Sequence, residues 1–166
     1  MEIGQEHSFL GLQRNNLEGS VSIDGSKKKR AYKPKPNNVL PFKVVKDQNS
    51  IWITLPIRTV SEANNFDHWS VKGRRHKMQK GWVVMALATT KKLVNLPCKV
   101  TITRVASRAL DQHDNLPMSL KFITDAICEE LTGIKQAGMA DNDDRIEIKF
   151  KQEKSSTHGV KVLIEF

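Results

Sequence analysis

The sequence predicts an α+β fold in which one mixed sheet is packed by two helices, in the order β-α-β-α-β-β. Short runs in which apolar and polar residues alternate are typical of half-buried strands, and two longer segments carry apolar residues at helical spacing. A third observation sets the N-terminal boundary of the folded domain: residues 1–49 are rich in Gly, Ser, Asn, Lys and Pro and show little periodicity. We therefore expect a basic, disordered N-terminal arm over 1–49 and one folded domain over 50–166.

The first strand is predicted over residues 51–55, where alternate positions are apolar (IWITL). A helix is predicted over 68–90, and its second half, WVVMALA, is apolar enough to be buried. The alternation in NLPCKVTITRVA predicts a second strand over 95–106. A strand, a helix and a further strand in this order predict a parallel βαβ unit.

The second helix is predicted over residues 114–132. Pro117 is tolerated only in a first helical turn, which places the helix start near Asp114, and Gly133 suits the position just past its end. At 100° per residue the apolar side chains form one face, and an acidic and lysine edge lies opposite. The predicted core face consists of Leu116, Leu120, Ile123, Ile127 and Leu131, and the opposite edge consists of Asp114, Lys121 and Asp125.

Two further strands are predicted at the end of the chain. Ile146, Ile148 and Phe150 alternate with charged residues, and the same alternation returns from Val160 to Phe166. The segment SSTHG between them is typical of a turn. We therefore expect an antiparallel hairpin that closes the domain.

The charge balance indicates a polyanionic partner. The chain has 27 Lys and Arg against 18 Asp and Glu, a net charge of +9, which favours nucleic acid or an anionic membrane surface. No run is long enough to span a bilayer, and the first residues lack the features of a signal peptide. Cys98 and Cys128 fit no CxxC pattern, so we expect two reduced, buried thiols in a cytosolic protein.

Two basic clusters are candidates for contact with phosphates. One lies in the N-terminal arm and the other in the first half of the first helix, where the charges point nearly all round the axis and so indicate a segment that projects from the core. The alternative for both is a solvated segment without a partner. The candidate DNA-binding residues are Lys27, Lys28, Lys29, Arg30, Lys72, Arg74, Arg75, Lys77 and Lys80.

Acidic residues in two short clusters stand out in this basic chain. Asp111 and Asp114 precede the second helix, and Asp141, Asp143 and Asp144 precede the next strand. Phosphodiester hydrolysis is commonly assisted by divalent ions held by carboxylates, and Mg²⁺ prefers such hard oxygen ligands. We expect the two clusters to converge at one end of the sheet and to form a metal site. A lysine two turns along the same helix edge, Lys121, would stabilise transition-state oxygens or the attacking hydroxide.

Each acid also has a simpler interpretation. Asp114 can be the N-cap of the helix, Asp125 can pair with Lys121 at i,i+4, and the acids of 141–144 can belong to turns. In that case the protein is a non-catalytic DNA- or RNA-binding module. No Gly-rich phosphate loop, nucleophile motif or zinc spacing supports a different chemistry.

The run LDQHDNLPMSLKFITDAI, followed by DNDDRIEI, resembles the RusA-like Holliday-junction resolvases of bacteria and their phages. That family pairs a D-x-D-N element with a downstream lysine, a D-A-[IL] step and an aspartate just before a strand. Asp114 matches the second aspartate of D-x-D-N, Lys121 matches the lysine four residues before the D-A-I step, and Asp143 matches the late aspartate. The first aspartate is displaced: strict spacing places it at Gln112, so Asp111 must stand in with one extra residue between.

The resemblance covers about residues 51–166 and implies a function. The chain would be a Mg²⁺- or Mn²⁺-dependent endodeoxyribonuclease that acts in the cytoplasm of a bacterial host, encoded by the bacterium or by a phage. It would work as a homodimer that makes paired nicks across a four-way DNA junction, since two-fold symmetry suits two cuts on opposed strands. The implied catalytic residues are Asp111, Asp114, Lys121 and Asp143, of which the three aspartates would bind the metal.

Overall fold

The structure is a computed structural model that describes residues 38–63, 65–135 and 140–166. These residues belong to one structural unit that spans Lys35–Phe166. The predicted phosphate contacts of Lys27, Lys28, Lys29 and Arg30 lie outside the described residues.

The described residues form two helices and a five-stranded mixed sheet, so the predicted α+β class is confirmed. Within the described residues, no helix has both the length and the apolar character needed to cross a membrane. The elements are β1 (Lys43–Lys46), β2 (Ser50–Leu55), α1 (Trp69–Leu87), β3 (Cys98–Ala106), α2 (Asn115–Thr132), β4 (Ile146–Lys154) and β5 (Gly159–Glu165), with short 3₁₀ helices at Lys91–Leu93 and Ala140–Asn142.

The strand order is β1-β2-β5-β3-β4, and only β3 and β4 are parallel neighbours. The predicted parallel orientation of β2 and β3 is confirmed, since both are antiparallel to β5, but they are not neighbours because β5 lies between them. The predicted hairpin is wrong, because β4 and β5 do not pair and β4 takes the sheet edge. Burial agrees with this order, since the inward side chains of β5 are fully buried in the assembled sheet while β4 carries charges that suit an edge strand.

Strand β1 lies within the segment that the sequence analysis assigned to the N-terminal arm. It pairs antiparallel with β2, from Lys43 opposite Thr54 to Lys46 opposite Ile51. The first bonds of the described fold lie even earlier, where the Asn38 side chain donates to the carbonyl of Ser156 at 2.7 Å and the Asn38 carbonyl accepts the amide of His158 at 2.8 Å. Four residues, KVVK, are too few to show an alternation, so this strand was not predicted.

The core lies between one face of the sheet and the two helices. Leu116, Leu120, Ile123 and Ile127 of α2 are fully buried, as predicted, and Leu131 packs against the same cluster. Full burial of such side chains contributes about 1.5–3 kcal/mol each. Gly133 ends α2 at φ +75°, with its amide bonded to the carbonyl of Glu129, which confirms the predicted C-terminal position.

Only one side of α1 faces the core. Val83, Ala86 and Leu87 are buried, but Val84 and Met85 are exposed, so the predicted burial of the whole second half is wrong. The reason is that α1 packs on the sheet and α2 from one side, and nothing among the described residues covers its outer side.

Both cysteines are buried and unbridged, as expected from their spacing. Burial raises the pKa of both thiols, that of Cys128 to about 12.

Candidate functional site

Asp111 and Asp114 lie in the loop that leads from β3 into α2, and both are exposed. One oxygen of Asp111, Oδ1, accepts the amides of His113 at 3.1 Å and Asp114 at 2.9 Å, so Asp111 shapes this turn. Asp114 is at the N-cap position of α2, but its side chain accepts no capping hydrogen bond. The carboxylate of Asp114 therefore has no partner among the described residues and remains accessible to a ligand.

The start of α2 is fixed to the sheet by polar contacts. The Gln152 side chain of β4 bonds both backbone groups of Leu110, at 2.9 Å each. The Ser61 hydroxyl donates to the Asn115 side chain at 2.7 Å and so ties the loop after β2 to the same place. These contacts hold Asp111 and Asp114 beside the ends of β3 and β4 where those strands finish.

A buried cation lies at the same end of the sheet. Arg104, near the end of β3, is 8% exposed, and burial lowers the pKa of its guanidinium. Its Nε donates to the Thr59 hydroxyl at 3.0 Å and its Nη1 to the Arg108 carbonyl at 2.8 Å. No carboxylate pairs with it within the described ranges. Buried charges are normally paired, so an uncompensated arginine indicates a place for an anion.

His158 lies close to Arg104 and Arg58. Burial lowers the pKa of its imidazole, and Arg58 and Arg104 lower it further by electrostatic repulsion. Neither arginine has an acidic partner in the part of the chain that the structure describes. Sequence reasoning missed this group. The alternation of β3 could have identified Arg104, because Arg104 occupies the next inward-facing position after Val100 and Ile102.

Farther along α2, Lys121 pairs with Asp125 across one helical turn, with 3.3 Å between Nζ and Oδ1. The simpler interpretation of Asp125 as an i,i+4 partner is thus confirmed. Burial raises the pKa of the Asp125 carboxyl, Lys121 opposes that shift, and Asp141 adds to it. Asp141 is consequently the acid of the second cluster that faces α2.

Asp143 is held by its own neighbour, Arg145. The guanidinium bonds both carboxylate oxygens, Nε to Oδ1 at 2.9 Å and Nη2 to Oδ2 at 2.6 Å, and the Arg145 amide adds a third bond at 3.0 Å. These bonds lower the pKa of Asp143 to about 2. A metal ion at Asp143 would have to displace this arginine.

The predicted convergence of the two acidic clusters is wrong within a single chain. Strands β3 and β4 are parallel, with Cys98 opposite Ile146 and Ala106 opposite Lys154. Asp143 precedes β4, whereas Asp111 follows β3, so the two lie at opposite ends of the paired strands. The nine paired residues make eight steps of ~3.3 Å, which separate these ends by roughly 26 Å. In keeping with this, no three His, Cys, Asp or Glu side chains among the described residues are grouped as metal ligands.

The basic residues of α1 divide into two groups. Arg75 bonds Glu62 at 2.6 Å and Asp67 at 3.1 Å, and Lys80 pairs with Glu129, so these two cations stabilise the fold. Ion pairs to the other three candidate DNA-binding residues of α1 are absent from the described structure. Those residues are Lys72, Arg74 and Lys77.

Comparison with known proteins gives no family assignment: no protein-family model matches the chain, and no curated protein matches it at a significant level.

Proposed function

We propose that this protein is a Mg²⁺-dependent endodeoxyribonuclease that resolves Holliday junctions or other branched DNA by paired phosphodiester hydrolysis. One observation carries the proposal. The unpartnered carboxylate of Asp114 and the uncompensated guanidinium of Arg104 lie at the same end of the sheet. A metal-bound phosphodiester needs both a carboxylate for the cation and a cation for the phosphate.

In this proposal the metal is held by Asp111 and Asp114. Asp111 uses one oxygen for the turn and keeps the other for a ligand. Bound Mg²⁺ or Mn²⁺ would supply an activated water and charge stabilisation. Lys121 lies about 10 Å along the axis from Asp114 and is now paired with Asp125, so it would assist the phosphate only on leaving that pair.

A third metal ligand would come from a second copy of the chain. In a two-fold symmetric dimer, the α2 helices of the two protomers can pack antiparallel. The start of α2 in one protomer then lies near the end of α2 in the other. Such packing would bring the acids beyond α2 of one protomer to Asp111 and Asp114 of its partner. The resemblance assigns this role to Asp143. Asp141 is the better candidate, because Asp143 is engaged by Arg145 whereas Asp141 makes no ion pair in the described part of the chain.

The proposed homodimer is supported by an apolar groove on α1, about 240 Å³ in volume. It is lined at helical spacing by the exposed Met78 and Met85, by Gly81 and by the partly buried Trp82. Met85 is 49% exposed. Contiguous exposed apolar side chains of this kind commonly mark contacts between proteins.

The DNA backbone would be gripped by cations on several elements. Arg104 and Arg58 lie at the end of the sheet that carries Asp111. The unpaired cations of α1, Lys72, Arg74 and Lys77, extend this surface, and the basic run over residues 27–30 is proposed to add contacts from the N-terminal arm.

The second candidate function is a non-catalytic DNA- or RNA-binding module. Two observations favour it. The two acidic clusters are separated within one chain, and Asp125 and Asp143 already have protein partners. Under this alternative, binding is salt-sensitive and no cleavage depends on Mg²⁺.

Incubation of the purified chain with a labelled four-way junction, with Mg²⁺ and with EDTA, separates the two candidates. We expect paired nicks only with Mg²⁺, and we expect Asp114→Asn to reduce cleavage at least ~100-fold while junction binding persists. Asp47→Asn is a matched control, because Asp47 is an exposed aspartate in the β1–β2 turn. No Mg²⁺-dependent cleavage, or equal effects of both substitutions, would support the binding module.

A further inference from the structure

No helix of the described residues packs on the second face of the sheet, and the side chains of this face form ordered rows. The strand register places Val45, Trp52, Leu163, Thr101 and Lys149 side by side across all five strands. Trp52 lies in the middle of β2 and is 50% exposed. Its neighbours in the row are the aliphatic Val45 and Leu163, so half of the indole is accessible at the sheet surface.

The adjacent row is basic and rich in hydroxyls. It runs Lys43, Thr54, Lys161, Thr103 and Lys151 by the same register. Lys161 pairs with Glu153 at 2.6 Å. Lys43 and Lys151, at the two sides of the sheet, have no ion pair within the described ranges. Three lysines in one row therefore meet one carboxylate, and the surface keeps an excess of positive charge.

A groove joins the two rows. Trp52, Thr101, Thr103, Lys151 and Leu163 line it, together with the Lys161–Glu153 pair, and its volume is about 260 Å³. The indole and the cationic row are therefore parts of one continuous surface rather than two separate features.

We propose that this open face binds single-stranded nucleic acid, with a base stacked on Trp52 and the backbone held by Lys43, Lys151 and Lys161. Aromatic side chains on which bases stack, within a positively charged surface, are the features by which proteins bind single strands. The hydroxyls of the partly exposed Thr54 and Thr103 add hydrogen-bond partners for bases or sugars.

The shape of the face selects a single strand over a duplex. Five strands at ~4.8 Å spacing give a surface roughly 19 Å wide, whereas the major groove of B-DNA, about 12 Å wide, admits a helix or a two-stranded ribbon. The bases of a duplex are also stacked on one another and cannot stack on an indole. A protein partner fits less well, because the centres of protein interfaces are depleted in lysine.

The test is fluorescence anisotropy of a labelled oligothymidine with the full chain in EDTA, which removes any metal-dependent cleavage. We expect Trp52→Ala to weaken binding roughly 5- to 100-fold, the range found when a stacking aromatic is replaced by alanine, and Trp52→Phe to retain most of the affinity. Trp69→Ala is the matched control, since Trp69 is 77% exposed at the start of α1, away from the sheet. We expect Lys43→Ala to reduce the slope of log affinity against log salt by about 0.7.

Three outcomes would overturn the proposal. They are unchanged affinity in a folded Trp52→Ala variant, an equal loss in Trp69→Ala, and equally effective competition by a blunt duplex of the same length. If residues 1–37 or a second copy of the chain covered this face, Trp52→Ala would leave the affinity for the oligothymidine unchanged. The result does not depend on nuclease activity, because a catalytically inactive chain would still bind the oligothymidine through Trp52.

Discussion

The acids at the start of α2 and those beyond its end differ in what holds them. Asp114 has a carboxylate without a partner among the described residues, and a buried arginine without an acid lies at the same end of the sheet. At the other end, Asp143 is bonded by Arg145 through both oxygens, and Asp125 is paired with Lys121. A cluster of acidic residues therefore does not by itself identify a ligand-binding site. An acid and a cation that both lack protein partners leave bonding capacity that a ligand can use.

Replacing the arginines at the two ends tests this difference with the largest expected effect. We expect Arg104→Met to weaken binding of a labelled four-way junction by about 10- to 100-fold, because a charge-assisted bond to phosphate is lost. The unfolding free energy should change by about 1 kcal/mol or less, since methionine fills a similar volume without an uncompensated charge. The measurements are a binding titration and a urea unfolding curve.

Arg145→Met is the control at the other end of the sheet. We expect it to leave junction binding unchanged and to lower stability, because it removes the partner of Asp143. If Arg104→Met lowers stability strongly and binding only in proportion, then Arg104 is a structural residue and the contrast between the two ends fails.

The low pKa of Asp143 predicts a dependence of stability on pH. A carboxyl whose pKa is about 2 in the folded protein, below its usual value of 3.8, stabilises the fold above the usual value and loses that contribution as the pH falls toward 2. We expect the unfolding free energy of the wild-type chain to decline between about pH 4 and pH 2.

The Asp143→Asn variant should lack this part of the decline and be less stable than wild type at pH 7. Unfolding curves at a series of pH values measure both effects. If the unfolding free energies of wild type and variant change with pH in the same way, Arg145 does not stabilise the ionised carboxylate of Asp143.

The smallest effect is expected at Asp125. Its exposed pair with Lys121 contributes about 0.3–0.5 kcal/mol, and burial of the carboxylate offsets part of that. We expect Asp125→Asn to change the unfolding free energy by about 0.5 kcal/mol or less and to leave cleavage within about threefold of wild type. A loss of cleavage as large as that of Asp114→Asn would place Asp125 in the site.

The sequence predicted local structure well because local signals decide it. The amphipathic pattern of 114–132, Pro117 in the first turn and Gly133 at the end fix α2 almost to the residue. Alternation likewise located β2, β3, β4 and β5. The short edge strand Lys43–Lys46 has too few residues to carry such a signal and forms only by pairing with β2.

The order of the strands could not be predicted from local signals. Placement of β5 between β2 and β3 depends on which strand is most completely buried by the helices, a property of the assembled sheet. That order determines the parallel register of β3 and β4, and through it the distance between Asp111 and Asp143. The partners of Arg104 and Asp143 are likewise set by tertiary contacts, except that Arg145, two residues from Asp143, was visible in the sequence.

The most direct test of a site shared between two protomers is to mix inactive variants. Asp114→Asn and Asp141→Asn protomers, carrying different tags and coexpressed, would form mixed dimers in which one site bears both substitutions and the other bears none. We expect each variant alone to be inactive and the mixture to regain nicking of the four-way junction, up to roughly a quarter of the wild-type sites at random pairing. An Asp143→Asn partner tests the other candidate acid in the same way. Mixed dimers that are isolated by both tags and remain inactive with either partner would contradict the shared site.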